Sequence, residues 1–167
     1  MGIYAKILQD SITGIYRTNA ANKILQFINR IRNESDVNQA RRFLIELMQN
    51  ARDLAYKKPD GTPEPVSIRI RLSDTELEFS HNGKVFSVKD ILSIIYQVSS
   101  KKPGEGIGQF GTGFMSTYQL SERVELTSYL KNDDNPYLPF TVCLDRSGLN
   151  KEEILDAIER AMAQLMA

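Results

Sequence analysis

The chain is poor in residues on which several common chemistries depend. Among 167 residues it has one cysteine, Cys143, and one histidine, His81. A lone thiol forms no internal disulfide, which fits a reducing compartment. Its neighbours Thr141, Val142 and Leu144 read as a strand, so Cys143 is expected to be a buried structural thiol rather than a nucleophile. One histidine excludes metal sites and triads that need several. Neither sign of charge is in excess, since 21 Lys and Arg balance 21 Asp and Glu. Bulk electrostatics therefore does not indicate nucleic acid or an acidic membrane as a partner. Long apolar runs are missing too. No stretch approaches the roughly 18 residues of a membrane span, and Met1 to Tyr16 lacks the core of a signal peptide. A soluble, cytoplasmic protein without a membrane partner is expected.

What is present suits a globular domain. The chain is 41% hydrophobic and 25% charged. A domain of this length buries roughly 70% of its unfolded surface and needs no disulfide or metal to hold a core. Residues 1–167 are read as a single domain without internal repeats. Ile24, Phe27, Ile28 and Ile31 recur at helical spacing within Ala20 to Arg32, and a second helix is expected from about Asp36 to Lys57, capped by Ser35 or Asp36. Pro59 to Pro63 is a turn. Val66, Ile68, Ile70 and Leu72 alternate with polar residues as a half-covered strand, paired through Ser73, Asp74 and Thr75 with a strand bearing Leu77 and Phe79. Ser87 to Gln97 reads as a helix with Ser87 as N-cap and Asp90 completing the capping signal. A glycine-rich stretch from Ser99 to Gly113 leads into a short helix through Leu120. Strands over Val124 to Tyr129 and Phe140 to Asp145 and an amphipathic helix over Asn150 to Met166 complete the pattern. Helices and antiparallel strands mix without regular alternation, so the fold class is α+β, one helical layer on one sheet.

Three segments carry chemistry. On a helix, Glu46, Asn50 and Asp53 (i, i+4, i+7) lie within about 60° of one another. Phe43, Leu47 and Ala51 fill the adjoining arc, so the polar stripe borders a core-facing surface. A carboxylate and an amide oxygen one turn apart suit a water-activating base beside a hard-cation ligand, or simply a solvated helix edge. The second segment, Glu78 to Phe86, is a strand ending in the polar turn His81-Asn82-Gly83. The third, Gly104 to Phe114, carries five glycines before a helix start, allowing close backbone approach to a phosphate. Its formal G-x-G-x-x-G match lacks the preceding strand that dinucleotide binding requires. No kinase H-R-D or D-F-G segment follows, and no G-K-[ST] loop is present.

In this order and spacing, the segments resemble the Bergerat-fold ATPases, the superfamily of gyrase, the ninety-kilodalton heat-shock chaperone, histidine kinases and MutL. Glu46 to Asp53 matches the E-x-x-x-N-x-x-D helix. Ile107-Gly108-Gln109-Phe110-Gly111-Thr112-Gly113-Phe114 and the strand Arg123 to Ser128 look like the chaperone segment. Gln49-Asn50-Ala51 with His81-Asn82-Gly83-Lys84-Val85-Phe86 is similar to the sacsin-type branch. The resemblance spans Arg41 to Arg146 and implies a two-layer α/β sandwich that binds ATP or ADP with Mg²⁺ and hydrolyses ATP slowly. Glu46 would be the general base and Asn50 the Mg²⁺ ligand, with Asp53 close behind. His81, Gly83 and Phe86 would border the adenine. Ser99, Ser100 and Lys101 would begin a lid in which Gly108, Gln109, Phe110, Gly111, Gly113 and Phe114 approach the phosphates. Thr127 on the following strand would complete the nucleotide set.

Two departures stand out. His81 occupies the place of the family's adenine-reading Asp, and Val85 that of the turn's second glycine. A histidine can accept a hydrogen bond from the adenine amino group only when neutral. The chain also ends before a strand carrying the family's last nucleotide-contacting motif, so it reads as the N-terminal piece of a longer protein. A nucleotide-dependent dimer and further domains would follow. The alternatives are a nucleotide sensor without appreciable turnover and phosphotransfer of the histidine-kinase kind; Glu46 and the absence of a phosphoacceptor domain argue against the latter.

Overall fold

The computed structural model describes residues 3–34, 37–97, 114–131 and 137–167. Their elements run in the order α1 (Ile3–Asn33), α2 (Val37–Asp53), β1 (Ile68–Leu72), β2 (Leu77–His81), β3 (Phe86–Ser87), α3 (Val88–Tyr96), a 3₁₀-helix (Phe114–Gln119), β4 (Arg123–Lys131), β5 (Leu138–Asp145) and α4 (Lys151–Met166). The class is α+β with mixed, mostly antiparallel pairing. Among the described residues the strands form two sheets where one was expected. β1 and β2 make an antiparallel hairpin, and β3, β4 and β5 make a sheet in that order, β3 parallel to β4 and β4 antiparallel to β5.

The larger sheet shows why alternation decides which face is covered. Leu126 pairs with Val142 and Val124 with Leu144. With Phe140 and Leu130 they turn one face to the helices, while Glu125, Thr127, Tyr129 and Thr141 turn to solvent. α1, α3 and α4 cover the inner face. Ile24, Ile28, Ile91, Ile94, Ile95, Ile154 and Ile158 are all buried there with Tyr118, Val142 and Leu144. Tyr16 on α1 packs on Tyr96 of α3 with ring centroids 5.4 Å apart. The hairpin is less covered: its Ile68, Ile70 and Leu72 are exposed.

Several boundaries differ from the sequence reading for local reasons. α1 runs through Gly14 and the β-branched cluster Ile12, Thr13 and Ile15, where helix propensity is weak, and so begins well before Ala20. α2 ends at Asp53, not Lys57. The Leu54 carbonyl instead accepts the Lys84 N–H at 2.7 Å, which fastens a distant turn to the helix end. The expected caps Ser35 and Asp36 lie outside the described residues. At α3 the capping box is complete: Ser87 Oγ accepts the Asp90 N–H, and Asp90 accepts the Ser87 N–H at 3.0 Å. Asn150 caps α4 by accepting the Glu153 N–H at 2.9 Å. The short helix after Gly113 is a 3₁₀-helix. Cys143 is half-buried rather than buried, since it lies on the outward-facing row of β5.

Candidate functional site

α2 carries the first group of residues. Phe43 and Ala51 are buried and Leu47 packs on the core, so the helix presents one apolar face inward. Glu46 and Asn50 stand at that face's margin, both half-buried. The Glu46 side chain is 27% exposed, with Oε1 3.7 Å from Arg42 Nε one turn earlier. Asp53 lies 3.7 Å from Arg52 Nη2. Against α2 packs the 3₁₀-helix Phe114–Gln119, in which Phe114 is buried with its ring 6.3 Å from that of Tyr118.

The second group is the turn after β2, joined directly to the end of α2. Besides the Lys84 bond to Leu54, Gly83 lies so close that an added Cβ would stand 3.0 Å from His81 Nδ1 and 3.1 Å from both Leu54 Cβ and Leu54 O. A side chain there would require Leu54 and His81 to give by a few tenths of an ångström. The Gly83 N–H donates to His81 Nδ1 at 3.1 Å, so the nitrogen on which an accepting role for His81 depends is already engaged. Burial lowers the His81 pKa and favours the neutral ring. Asn82 pins the turn to the strand entry by exchanging bonds with Ser67: its Oδ1 accepts the Ser67 N–H at 2.8 Å, and its own N–H donates to Ser67 O at 3.3 Å. Ser67, Ile68, Arg69, Ser80, His81 and Asn82 line an open cleft of about 290 Å³.

The other candidates scatter. Phe86 packs edge-on against Phe140 at 6.1 Å, a core contact. Thr127 is on the outward face of β4, its hydroxyl 3.0 Å from that of Thr141. Ser99, Ser100, Lys101, Gly108, Gln109, Phe110, Gly111 and Gly113 lie outside the described residues. The structure thus joins the end of the α2 helix to His81 and Gly83, and sets the 3₁₀-helix bearing Phe114 against α2. Glu46, Asn50 and Asp53 do not line the cleft beside His81.

Sequence reasoning missed Arg146. It is fully buried at the end of β5, its Nη2 donating to the Ile95 carbonyl at 2.8 Å and its guanidinium 5.8 Å from the centre of the Tyr118 ring. In sequence it stands beside Asp145 at the end of an expected strand. Its partners are 51 and 28 positions away by number, which local pattern does not reveal.

These elements define an α+β domain in which the end of the helix bearing Glu46 and Asn50 is tied to a polar turn. The chain is similar to the chaperone protein HtpG of Sulfurovum sp. (strain NBC37-1), with 24% identity over 121 residues, 58% of this chain and 20% of the relative. The matched part therefore spans about one fifth of that relative's length. No family model matches the chain, and no solved structure matches it.

Proposed function

We propose that the chain is the nucleotide-binding domain of a chaperone-like ATPase, with Mg²⁺-dependent ATP binding and slow hydrolysis. The observation that carries this reading is the junction between α2 and the His81–Gly83 turn. The helix with the carboxylate–amide pair ends one residue before Leu54, whose carbonyl accepts the Lys84 N–H at 2.7 Å. The likeness to HtpG supports it independently.

The donor set fits Mg²⁺ in such a site. Among the described residues no cluster of three or more His, Cys, Asp or Glu could hold a metal alone. Mg²⁺ in nucleotide sites takes few protein ligands and completes its shell with water and phosphate oxygens. Asn50 Oδ1 is the ligand proposed here, and the ion would neutralise charge on the phosphates. Glu46, one turn earlier, would orient and deprotonate the attacking water, and Asp53 would support that edge of the helix. The lid role of the segment from Ser99 to Gly113 rests on its sequence alone.

Calorimetric titration with ATP and ADP, with and without EDTA, tests this reading. Tighter binding with Mg²⁺ is expected. Equal affinity in EDTA would remove Asn50 from the metal role, and no binding in either buffer would refute the reading.

A further inference from the structure

The turn at His81 and Asn82 uses its side chains to hold neighbouring backbone, and His81 has spent its single acceptor in doing so. His81 Nδ1 accepts the Gly83 N–H at 3.1 Å, and Asn82 Oδ1 accepts the Ser67 N–H at 2.8 Å. A neutral imidazole has one ring proton, so an accepting Nδ1 puts that proton on Nε2. Asn82 likewise keeps its amide NH₂ group, which only donates. Arg69, also donor-only, shares the lining of the same 290 Å³ cleft. The ring is held in place from the side by Phe79, whose centroid is 6.3 Å away. Burial favours the neutral form. Protonation at Nδ1 would also set that nitrogen against the Gly83 N–H, while Nε2 would remain a donor. From His81, then, the turn offers a ligand a donor and no acceptor.

We infer that His81 reads the nucleotide base by donating from Nε2–H, so that the site prefers a 6-oxopurine nucleotide to an adenine nucleotide. The inference rests on the nucleotide reading above, with the base against His81. An adenine amino group brought to Nε2–H sets donor against donor and leaves both without partners, whereas a 6-carbonyl accepts. Sites that leave a buried polar group unpaired discriminate strongly.

Two measurements test it. His81 is the sole histidine, so long-range ¹H–¹⁵N correlation of the ligand-free chain reports its tautomer without ambiguity. Protonated Nε2 and bare Nδ1 are expected at pH 8; the reverse tautomer would overturn the inference. Calorimetry with Mg²⁺ then compares ITP and ATP, which share every phosphate and sugar contact. ITP is expected to bind the wild-type chain roughly tenfold more tightly, a difference of one matched against one mismatched hydrogen bond. In His81→Asp, whose carboxylate accepts, the order should invert. Equal or tighter ATP binding by the wild type would overturn the donor assignment while leaving the nucleotide reading intact. Binding of neither nucleotide would overturn both. The wild-type arms and the tautomer decide the matter even if His81→Asp does not fold.

Discussion

Glu46 and Gly83 separate two demands on single residues, chemistry and space. The Glu46 carboxylate stands half-buried at the edge of α2, with Arg42 3.7 Å away, one turn earlier and largely exposed. A base acts on water and not on the groups that hold the nucleotide. Glu46→Ala is therefore expected to leave ATP affinity within about threefold while lowering turnover on the order of 10²-fold or more. Equal losses in calorimetry and in a phosphate-release assay would make Glu46 a structural residue instead. At Gly83 the limit is steric. Gly83→Ala puts a methyl 3.1 Å from the Leu54 carbonyl and 3.0 Å from His81 Nδ1. Neither neighbour yields easily, one being backbone and the other held by its own hydrogen bond, so a cost of about 1–3 kcal/mol is expected, read from the denaturant midpoint. The Glu46–Asn50–Asp53 stripe was legible in the sequence because helical spacing is a local property. The use of His81 Nδ1 by Gly83 was not, since a bond two residues back depends on a turn conformation that residue types do not specify.

At the scale of elements, α3 and α1 owe their ends to different kinds of contact. The α3 cap is local: Ser87 and Asp90 exchange bonds three residues apart, and Ser87 Oγ also donates to Asp90 Oδ2 at 2.7 Å. Ser87→Ala is expected to cost about 1 kcal/mol, with its effect confined to α3 and visible as faster amide exchange there. The end of α1 is tied by Arg32, whose Nε donates to Glu122 at 2.7 Å. Its Nη2 reaches the carbonyls of Ser147 at 3.2 Å and Gly148 at 3.1 Å. This fork joins α1 to the entry of β4 and to the β5–α4 turn. Arg32→Met should cost about 2 kcal/mol in equilibrium unfolding, and Arg32→Lys should recover little of it, because one ammonium cannot reproduce the two-sided fork. The Ser87–Asp90 cap, the alternation of β4 and β5 and the amphipathic α4 were read correctly in kind from local pattern, whereas β1, expected to be half-covered, is exposed along its length. The division into two sheets was not, because alternation tells which face of a strand is covered but not which strand lies beside it. β2 and β3 follow each other closely in the chain and still join different sheets.

For the molecule as a whole, the scarcity of histidine makes the pH dependence of stability simple to assign. At pH 7 the formal charges cancel, 21 against 21, so net self-repulsion is small near neutrality. Burial lowers the His81 pKa below 6.5 in the folded chain, whereas the unfolded chain titrates near the ordinary value. Between the two values the unfolded state binds more protons, and stability rises with pH wherever that holds. The contribution of His81 is therefore fully present above about pH 6.5 and is lost as pH falls through the folded pKa. Asp145 acts further down the scale. Burial alone would raise its pKa, but the Ser147 hydroxyl and N–H, at 2.6 and 3.0 Å, together with Arg123 and Arg160, bring it below 3.8. Its contribution is present above the unfolded value and disappears as pH falls through the lower folded one. Denaturant unfolding followed from pH 8 to pH 3 should thus show a plateau, a decline beginning near pH 6.5 and a second decline below pH 4. In His81→Asn, whose amide oxygen can accept the Gly83 N–H but does not titrate, the first decline should vanish and the second remain. Persistence of the first decline in that variant would mean that a group other than the sole histidine loses its native environment in this range.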